Sequence, residues 1–457
     1  MAATKSYSVD MTHGGLAGKI IIFALPLIAS GILQQSFNAV DVAMVGRFTG
    51  PEAMAAVGSN GVIISILVNL FLGIAIGANV VIANYIGMKN NIATARSVAT
   101  VAVVSLLSGF ILLIAGVTLA RPILEAMSAP PDVIDGATLY LRIYFLGMPF
   151  IMVYNFGSAI MRSMGDTKRP FYALLVGALV NAALDYIFVK YFSMGVSGVA
   201  IATVIANGVN AAIIVILLRR EPEPFTLHLR RLTLSVPDLI KMLKIGVPAG
   251  LQGMVFSISN IFIQTTVNSF GSAAVAGSAA AQTYESYCYY IISAFAASTI
   301  AFTGQNYGAG LLDRCRKVLW ICMGLCVAVA GAANMIISYN ASWFLSVFTD
   351  NPEVARYATE RINSALRFQF IAASYEISGA YMRGLGYSMT PMLLTILGTC
   401  VLRIVWVYTV SARYHTFPAL LLVYPVSWAA TGAIVMTAAQ IVTRTVRRHH
   451  TSLATQP

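Results

Sequence analysis

Residues 161–170 read MRSMGDTKRP, and residues 382–391 read MRGLGYSMTP. Both stretches have a Met-Arg pair, a glycine three residues after the arginine and a proline five residues after that glycine. They lie 221 residues apart (382 − 161). Other residues recur at nearly the same offset: Pro26 with Pro248, Asn84-Tyr85 with Asn306-Tyr307, and Gly177 with Gly398. An internal repeat in an apolar chain is typical of secondary transporters, whose substrate site lies between the repeats.

The composition places the chain in a membrane. Hydrophobic residues make up 58% of it and charged residues 10%, and the mean hydropathy is +0.78. A soluble domain is about one quarter charged, and a transmembrane helix needs about 20 apolar residues. We therefore predict an all-α polytopic membrane protein with twelve transmembrane helices. The predicted spans lie near residues 18–46, 53–86, 94–119, 132–162, 170–191, 195–219, 237–269, 273–306, 314–338, 353–383, 390–412 and 418–444.

The repeat divides the predicted spans into two six-helix lobes. We predict a cytoplasmic tail over residues 1–17, an N-lobe over 18–220, a cytoplasmic linker over 221–236, a C-lobe over 237–444 and a second cytoplasmic tail over 445–457. The start of the chain resembles no targeting peptide.

The net charge of +12 follows the positive-inside rule. Most of the 29 Lys and Arg residues fall in tails and loops on the side of the N-terminus. We assign few to the opposite side: Arg47, Arg121, Lys190, Arg356, Arg361 and Arg413. Arg142, Arg367 and Arg403 fall within spans. This bias predicts the inner (plasma) membrane, both termini in the cytoplasm and no nucleic-acid partner.

Catalytic and nucleotide-binding motifs are missing from the sequence. It has no Gly-x-x-x-x-Gly-Lys-Ser/Thr, and its five histidines fall in tails or loops without a Ser-His-Asp set or a helical His-Glu-x-x-His. Its five cysteines show no paired metal-ligand spacing. We therefore expect no enzyme, no nucleotide and no cofactor, and a transport cycle that an ion gradient drives.

A few carboxylates fall within the predicted spans, where a buried charge costs at least a few kcal/mol and is a functional candidate by default. Apart from the carboxylates that we assign to tails, loops and helix ends, they are Asp41, Asp185, Glu285 and Glu376. Asp41 shares one helical face with Gln34 and Asn38, at i, i+4 and i+7.

The first-lobe carboxylates predict a cation site. Asn181 stands four residues before Asp185 on the fifth helix, and Thr203 lies on the sixth. Carboxylate, amide and hydroxyl oxygens suit Na⁺, and two buried carboxylates can equally share a proton. The coupling ion is therefore H⁺ or Na⁺, with Asp41 and Asp185 as metal ligands if it is Na⁺. The alternative is that Asp41 only caps the outer end of the first helix.

The second half lacks this acidic pair, because Asp41 aligns near Ile263 and Asp185 with Trp406. It has instead amides, tyrosines and two carboxylates, which suit a cationic organic ligand through charge and cation–π contact. With one residue from the first lobe, we predict these substrate-binding residues: Gln34, Gln252, Asn260, Gln282, Tyr284, Glu285, Tyr287 and Glu376.

Two structural alternatives stand beside this substrate site. The tyrosines can simply pack helices or form an interfacial belt. Glu376 can form an ion pair with Arg383 or with Arg367.

Pro26 and Pro248 lie early in their helices, where proline removes a backbone hydrogen bond and permits a kink. We predict that these two sites bend during transport. The alternative is a static kink.

Several motifs together resemble the multidrug and toxic compound extrusion (MATE) family over essentially the whole chain. They are the repeated Met-Arg-x-x-Gly-x-x-x-x-Pro, residues 304–310 (GQNYGAG) and residues 40–46 (VDVAMVG). The resemblance implies two six-helix bundles related by a pseudo-twofold axis and forming a V-shaped cleft. It also implies export of organic cations in exchange for Na⁺ or H⁺.

One branch of that family, the DinF-like branch, is named after a DNA-damage-inducible member. The resemblance to it implies a first-lobe cation site made of Asp41, Asn181, Asp185 and Thr203, with Tyr140 nearby; we add Asn38. The other branch uses acidic residues on the seventh and tenth helices. We expect no acidic residue on the seventh helix here, and Glu376 on the tenth does not clearly match that pattern.

These observations predict a monomeric antiporter that exports amphipathic, often cationic drugs and other xenobiotics. The first alternative is a flippase of the same superfamily for lipid-linked oligosaccharides or peptidoglycan precursors, which should line its cavity with several Arg or Lys residues. A membrane-embedded enzyme is a more distant alternative.

Overall fold

The computed structural model describes residues 8–50, 53, 56, 57, 60–126 and 131–454. The ends of the two predicted tails, residues 1–7 and 455–457, lie outside the described residues, as does most of the predicted start of the second span. Every regular element in the described part of the chain is helical. The predicted all-α polytopic class is therefore confirmed.

The first six helices follow the predicted spans to within a few residues at most ends. They are α1 (Leu16–Phe48), α2 (Gly61–Gly87), α3 (Asn91–Ala126), α4 (Pro131–Leu146 and Met148–Ser163), α5 (Lys168–Tyr186, continued by a π-helix over Ile187–Tyr191) and α6 (Gly195–Arg220). Helix α4 breaks at Gly147, where its two segments meet at 48°.

The remaining six helices are less regular. They are α7 (Val236–Asn268), α8 (Ser272–Gly308), α9 (Leu312–Tyr339), α10 (Pro352–Ser364, a 3₁₀ stretch over Leu366–Ala372, and Ala373–Gly384), α11 (Met389–Thr395, then π- and α-helical turns to Tyr414) and α12 (Phe417–Leu421 and Val423–Ala454). Helix α12 thus runs through most of the predicted C-terminal tail. Between Gly432 and Ala454 the sequence has no Gly or Pro to stop it.

Nine of the described helices are long and apolar enough to cross a membrane, and the two segments of α4 together make a tenth. Helices α8 and α10 are not among these ten: α8 is less apolar, and α10 is divided into segments of 13, 7 and 12 residues. They pack against each other and share an ion pair, Glu285 with Arg361. The carboxylate of α8 is thus matched by a charged partner on the neighbouring helix.

The chain forms two compact units whose boundaries fall inside α1 and α7. Unit 1 contains residues 1–10 and 29–250, and unit 2 contains residues 11–28 and 251–457. Each helix therefore changes unit two residues after its internal proline, Pro26 or Pro248.

In unit 1, the first part of α7 packs on α2 through four glycines. A methyl group placed on Gly73 would lie 2.2 Å from the backbone nitrogen of Gly250, and one on Gly77 would lie 2.1 Å from the carbonyl oxygen of Met242. Gly246 is equally close to the backbone of α2. Backbones at this distance exclude any side chain, which is how small residues permit helix contact in a bilayer.

A buried polar network fixes the same contact near the start of α7. Asp238 is fully buried and accepts hydrogen bonds from Arg96 (Nε, 2.7 Å) and Tyr85 (hydroxyl, 2.8 Å), and Lys241 donates to the Tyr85 hydroxyl at 2.9 Å. The prediction that the seventh helix has no acidic residue is wrong. Asp238 stands in the first turn of α7, but its charge is neutralised inside unit 1.

Replacing Gly73 by Ala should destabilise the protein, because the new methyl group meets backbone atoms that cannot move aside. Overpacking of this kind costs about 1–3 kcal/mol. The measurement is the melting temperature of the purified protein in detergent. Gly324→Ala on α9 is the matched control, since a methyl group there meets no atom within 4 Å. Equal melting temperatures for the two variants would contradict this packing.

Candidate cation site

Four of the predicted first-lobe residues come together inside unit 1, where α1, α5 and α6 meet. The Thr203 hydroxyl lies 3.3 Å from Asp41 Oδ2, and Asn181 Nδ2 lies 3.5 Å from the Thr203 hydroxyl. The Asp41 and Asp185 carboxyls are close enough to interact electrostatically. Asp41 is 5% exposed and Asp185 is fully buried.

Hydrogen-bond donors are scarce around this pair of carboxyls. No donor among the described side chains reaches Asp41 Oδ1 or either oxygen of Asp185. The Thr203 hydroxyl has one proton, and it lies closer to the backbone oxygen of Val199 (2.9 Å) than to Asp41. Two adjacent buried carboxylates without donors are stable only if they share a proton or hold a cation between them.

The geometry of the helices explains how these side chains meet. Asn181 and Asp185 stand one turn apart on the buried face of α5. The π-helix over Ile187–Tyr191 begins two residues after Asp185. Single-turn π-helical insertions often accompany functional sites, because they turn the side chains that follow to a new direction.

An apolar cluster lies one helical turn from the site on each of its three helices. Val45 follows Asp41, Val189 follows Asp185 and Val199 precedes Thr203, each by four residues, and all three valines are buried together. Tyr140 belongs to the same cluster and stacks on Tyr144, with ring centroids 5.9 Å apart. These groups keep water from one side of the carboxyl pair, which strengthens its attraction for a cation.

The remaining predicted residue of this site stays outside it. Asn38 is exposed on α1 and forms no hydrogen bond with Asp41, Asn181 or Thr203 in the structure. Its position three residues before Asp41 places it about 60° around the helix axis from Asp41. Gln34, on the same stripe, is also exposed.

The oxygen donors of the site fit a monovalent cation or a proton. Two carboxyls, one amide and one hydroxyl are hard ligands for an ion such as Na⁺. Within the described ranges, no cluster of three or more His, Cys, Asp or Glu side chains could hold a metal ion. This set of oxygens is thus suited to one small cation such as Na⁺ or H⁺.

The predicted substrate carboxylate Glu285 is instead part of an ion pair in unit 2. Arg361 donates to both of its oxygens (Nε to Oε1 at 2.8 Å, Nη2 to Oε2 at 2.9 Å), and the arginine side chain is 3% exposed. The Gln369 amide donates to the backbone oxygen of Glu285 at 2.9 Å. Arg361 also faces the ring of Tyr424.

This pair corrects two expectations from the sequence. Arg361 is not on the outer surface but buried in α10, because Glu285 on the neighbouring helix neutralises it. From the sequence, we considered an ion pair of Glu376 with Arg383 or Arg367 as the structural alternative. The bidentate ion pair of the structure forms at Glu285 instead, with Arg361. Glu376 receives one long hydrogen bond, from Tyr289 at 3.4 Å.

The other predicted substrate residues of unit 2 fall into two groups. Gln252 and Asn260 already accept hydrogen bonds, from Arg383 at 2.6 Å and from Arg403 at 3.1 Å. Tyr284 donates to the backbone of Phe344 and packs in an aromatic cluster, as its packing alternative expects. Gln282 is exposed and Tyr287 is half-buried.

Sequence reasoning missed several charged residues that the structure shows to be buried, among them Asp238, Arg361 and Arg383. Asp238 stood too close to a helix end, Arg361 lay near a predicted boundary, and Arg383 was noted only as a partner for Glu376. No local pattern would have found their partners, because each partner is more than 70 residues away in the chain: 76 for Glu285–Arg361, 142 for Arg96–Asp238 and 131 for Gln252–Arg383.

Comparison with known proteins gives one family and a consistent fold. The MatE family model matches residues 26–187 and again residues 248–409, which confirms the internal repeat. The probable multidrug resistance protein YoeA of Bacillus subtilis (strain 168) is 29% identical over 382 residues, covering 82% of each chain. The probable multidrug resistance protein NorM of Thermotoga maritima is 25% identical over 399 residues, covering 84% of each chain.

A solved structure has the same fold over nearly the whole length. It is the outward-facing conformation of a multidrug resistance MATE family transporter of the MOP superfamily. Its TM-score is 0.88 at 21% identity, and the alignment covers 98% of this chain and 99% of that one.

Glu285→Gln should destabilise unit 2, because it leaves the buried Arg361 without its counter-charge. Breaking a buried ion pair by removing one partner costs about 3–5 kcal/mol. The melting temperature of the purified protein should therefore fall clearly. Glu360→Gln is the control, since that residue pairs with Arg356 at the surface, where an ion pair is worth about 0–1 kcal/mol. An unchanged melting temperature, with loss of transport for cationic compounds alone, would restore Glu285 as a substrate residue.

Proposed function

We propose that this chain, which belongs to the MatE family, is a secondary active antiporter that exports amphipathic organic molecules, often cationic, in exchange for H⁺ or Na⁺. The observation that carries the proposal is the buried pair Asp41 and Asp185, which has almost no hydrogen-bond donors and stands beside the oxygens of Asn181 and Thr203. Such a site needs an exchangeable positive charge. An ion that enters and leaves it can supply the energy for export.

The direction and kind of substrate rest on the similar proteins. Both relatives compared above are named as probable multidrug resistance proteins. Export of drug-like molecules by this chain is the matching proposal. In this proposal the chain acts as a monomer in the plasma membrane, with both termini in the cytoplasm.

Coupling requires that the site reach each side of the membrane in turn. We assign the bending to Pro26 and Pro248, as the sequence predicts. What supports this is that α1 and α7 each pass from one compact unit to the other two residues after the proline. Without its backbone N–H, each proline leaves a weak point in the helix at which it can bend.

A flippase for lipid-linked precursors needs basic side chains that are free to bind the pyrophosphate of its substrate. Unit 2 does bury three arginines, Arg361, Arg383 and Arg403, but each is engaged by a protein group. Their partners are Glu285, Gln252 and Asn260, respectively. Buried guanidinium groups that are already bonded are poor candidates for a substrate anion. Multidrug export therefore remains the better proposal.

Asp41→Asn and Asp185→Asn should each abolish ion-driven efflux, because each removes a charge that binds the coupling ion. The assay is efflux of a fluorescent organic cation from proteoliposomes, with the amount of folded protein measured alongside. Asp135→Asn is the control, because that carboxylate is exposed and pairs only with the surface residue Arg121. Wild-type efflux in both single variants would refute the site.

The identity of the coupling ion can be tested in the same proteoliposomes. We expect an imposed pH gradient to drive efflux in nominally Na⁺-free vesicles, because two adjacent carboxylates readily share one proton. Na⁺ should then compete for the same oxygens. A strict requirement for added Na⁺ would overturn the assignment to protons.

A further inference from the structure

Arg403 of α11 is the largest side chain that unit 2 buries completely, with 1% of it exposed. Its Nη1 donates to Asn260 Oδ1 on α7 at 3.1 Å, and its Nε donates to the hydroxyl of Ser427 on α12 at 3.4 Å. The guanidinium also faces two rings, 4.9 Å from the centroid of Phe256 and 4.8 Å from that of Tyr424. One positive charge thus joins three helices.

The positive charge of Arg403 has no carboxylate counter-ion in the described part of the chain. Its polar partners are an amide oxygen and a hydroxyl, and its other contacts are aromatic faces. Both rings present faces that attract a cation, which helps to stabilise the buried guanidinium. Unit 2 therefore holds a cation with neutral groups, whereas unit 1 holds two carboxyls with almost no donors.

The internal repeat relates these two places in the fold. Helices α7, α11 and α12 of unit 2 correspond to α1, α5 and α6 of unit 1, and Asn260 corresponds to Asn38, three residues before Asp41. The offset is 221 residues at Gly177 and Gly398 but 222 at the ends of the family matches, Ile187 and Thr409.

The extra residue in α11 coincides with a π-helix. That π-helix spans Ile396–Val401, and a π-helical turn accommodates one residue more than an α-helical one. The later π-helix of α11, Val407–Ser411, has a counterpart in α5 at Ile187–Tyr191, so we place the change of offset at Ile396–Val401.

With the offset of 222, Arg403 corresponds to Asn181 of the cation site, and Val407, not Trp406 as the sequence alone suggests, corresponds to Asp185. In unit 2 the guanidinium thus occupies the position that corresponds, in unit 1, to the acceptors for a cation.

We propose that Arg403 is a covalently attached substitute for the coupling cation, which holds the α7–α11–α12 junction of unit 2 in one ion-independent arrangement. This inference rests on the proposed function, because it takes the α1–α5–α6 junction of unit 1 to be the one that binds the ion. Only unit 1 then responds to ion binding. Arg403 acts as a positioning residue, since its buried guanidinium offers no face to substrate.

Hydrogen exchange of the full-length protein in lipid nanodiscs tests this division directly. Peptides of α1, α5 and α6 should exchange more slowly after addition of Na⁺ or protons, by about tenfold at ten times the dissociation constant. Peptides of α7, α11 and α12 should not change. A response of equal size in both units would overturn the inference and leave the proposed ion site standing. No response in unit 1 would refute the proposed function, and the inference with it.

Two variants can show whether Arg403 replaces the coupling cation or only stabilises the fold. Arg403→Gln should speed exchange in α7, α11 and α12 whatever the ion, while unit 1 keeps its ion response. Arg413→Gln, an exposed position at the end of α11, is the control. Adding Asn260→Asp to Arg403→Gln places a carboxylate at the junction without its attached cation.

The double variant should acquire in unit 2 an ion response that the wild-type unit lacks. Na⁺ or protons should slow exchange in α7 and α11 by about tenfold under the same conditions. A folded double variant whose unit 2 ignores both ions would overturn the proposal. If the double variant does not fold, the wild-type comparison decides, because an ion response in α7 and α11 of the native protein contradicts it by itself.

Discussion

The energetic cost of a charge inside a low-dielectric helix bundle is the constraint on which this structure depends. Each buried charge must find a partner within the protein or exchange one with the surroundings. Asp238 has Arg96 and Tyr85, Glu285 has Arg361, and Arg403 has two aromatic faces and two oxygens. The pair Asp41 and Asp185 is the exception, with three oxygens that no donor reaches in the described structure.

The internal repeat allows the Asp41–Asp185 pair to be compared with the corresponding position of the other half. The two halves fold into the same succession of helices, yet their charged residues have diverged. In unit 1 the junction of three helices contains carboxyls, and in unit 2 the corresponding junction contains a guanidinium. A duplicated scaffold can in this way keep one junction responsive to ions and make the other rigid. The glycine contacts would then hold the start of α7 against α2. Bending would be limited to the points just beyond Pro26 and Pro248, where α1 and α7 pass from one unit to the other.

The helices and the carboxyl cluster could be predicted from sequence because both rest on local rules. Apolar length marks a membrane span, and a carboxylate inside such a span is costly enough to be noticed. The four-residue spacing of Asn181 and Asp185 placed them on one face of α5, as the structure shows. Asn38 was included on the same reasoning, but periodicity does not tell which edge of a polar stripe turns inward.

The partners of the other charges could not be predicted, for a physical reason. Arg361 looked like a surface residue because its helix α10 is polar at that end, and its neutralisation by Glu285 is a tertiary contact. The π-helix in α11 shifts the register of the repeat by one residue. The residue that corresponds to Asn181 is therefore Arg403 and not the uncharged residue before it. Such insertions leave no composition signal, since π-helical and α-helical turns use the same residues.

The central claim is that Asp41 and Asp185 are the groups that bind the coupling ion. Infrared difference spectroscopy of the purified protein, recorded between high and low pH and between high and low Na⁺, observes these carboxyls without any transport step. The account predicts a carboxyl difference band that disappears in Asp41→Asn/Asp185→Asn and persists in Asp135→Asn. A band of full size in the double variant would contradict it.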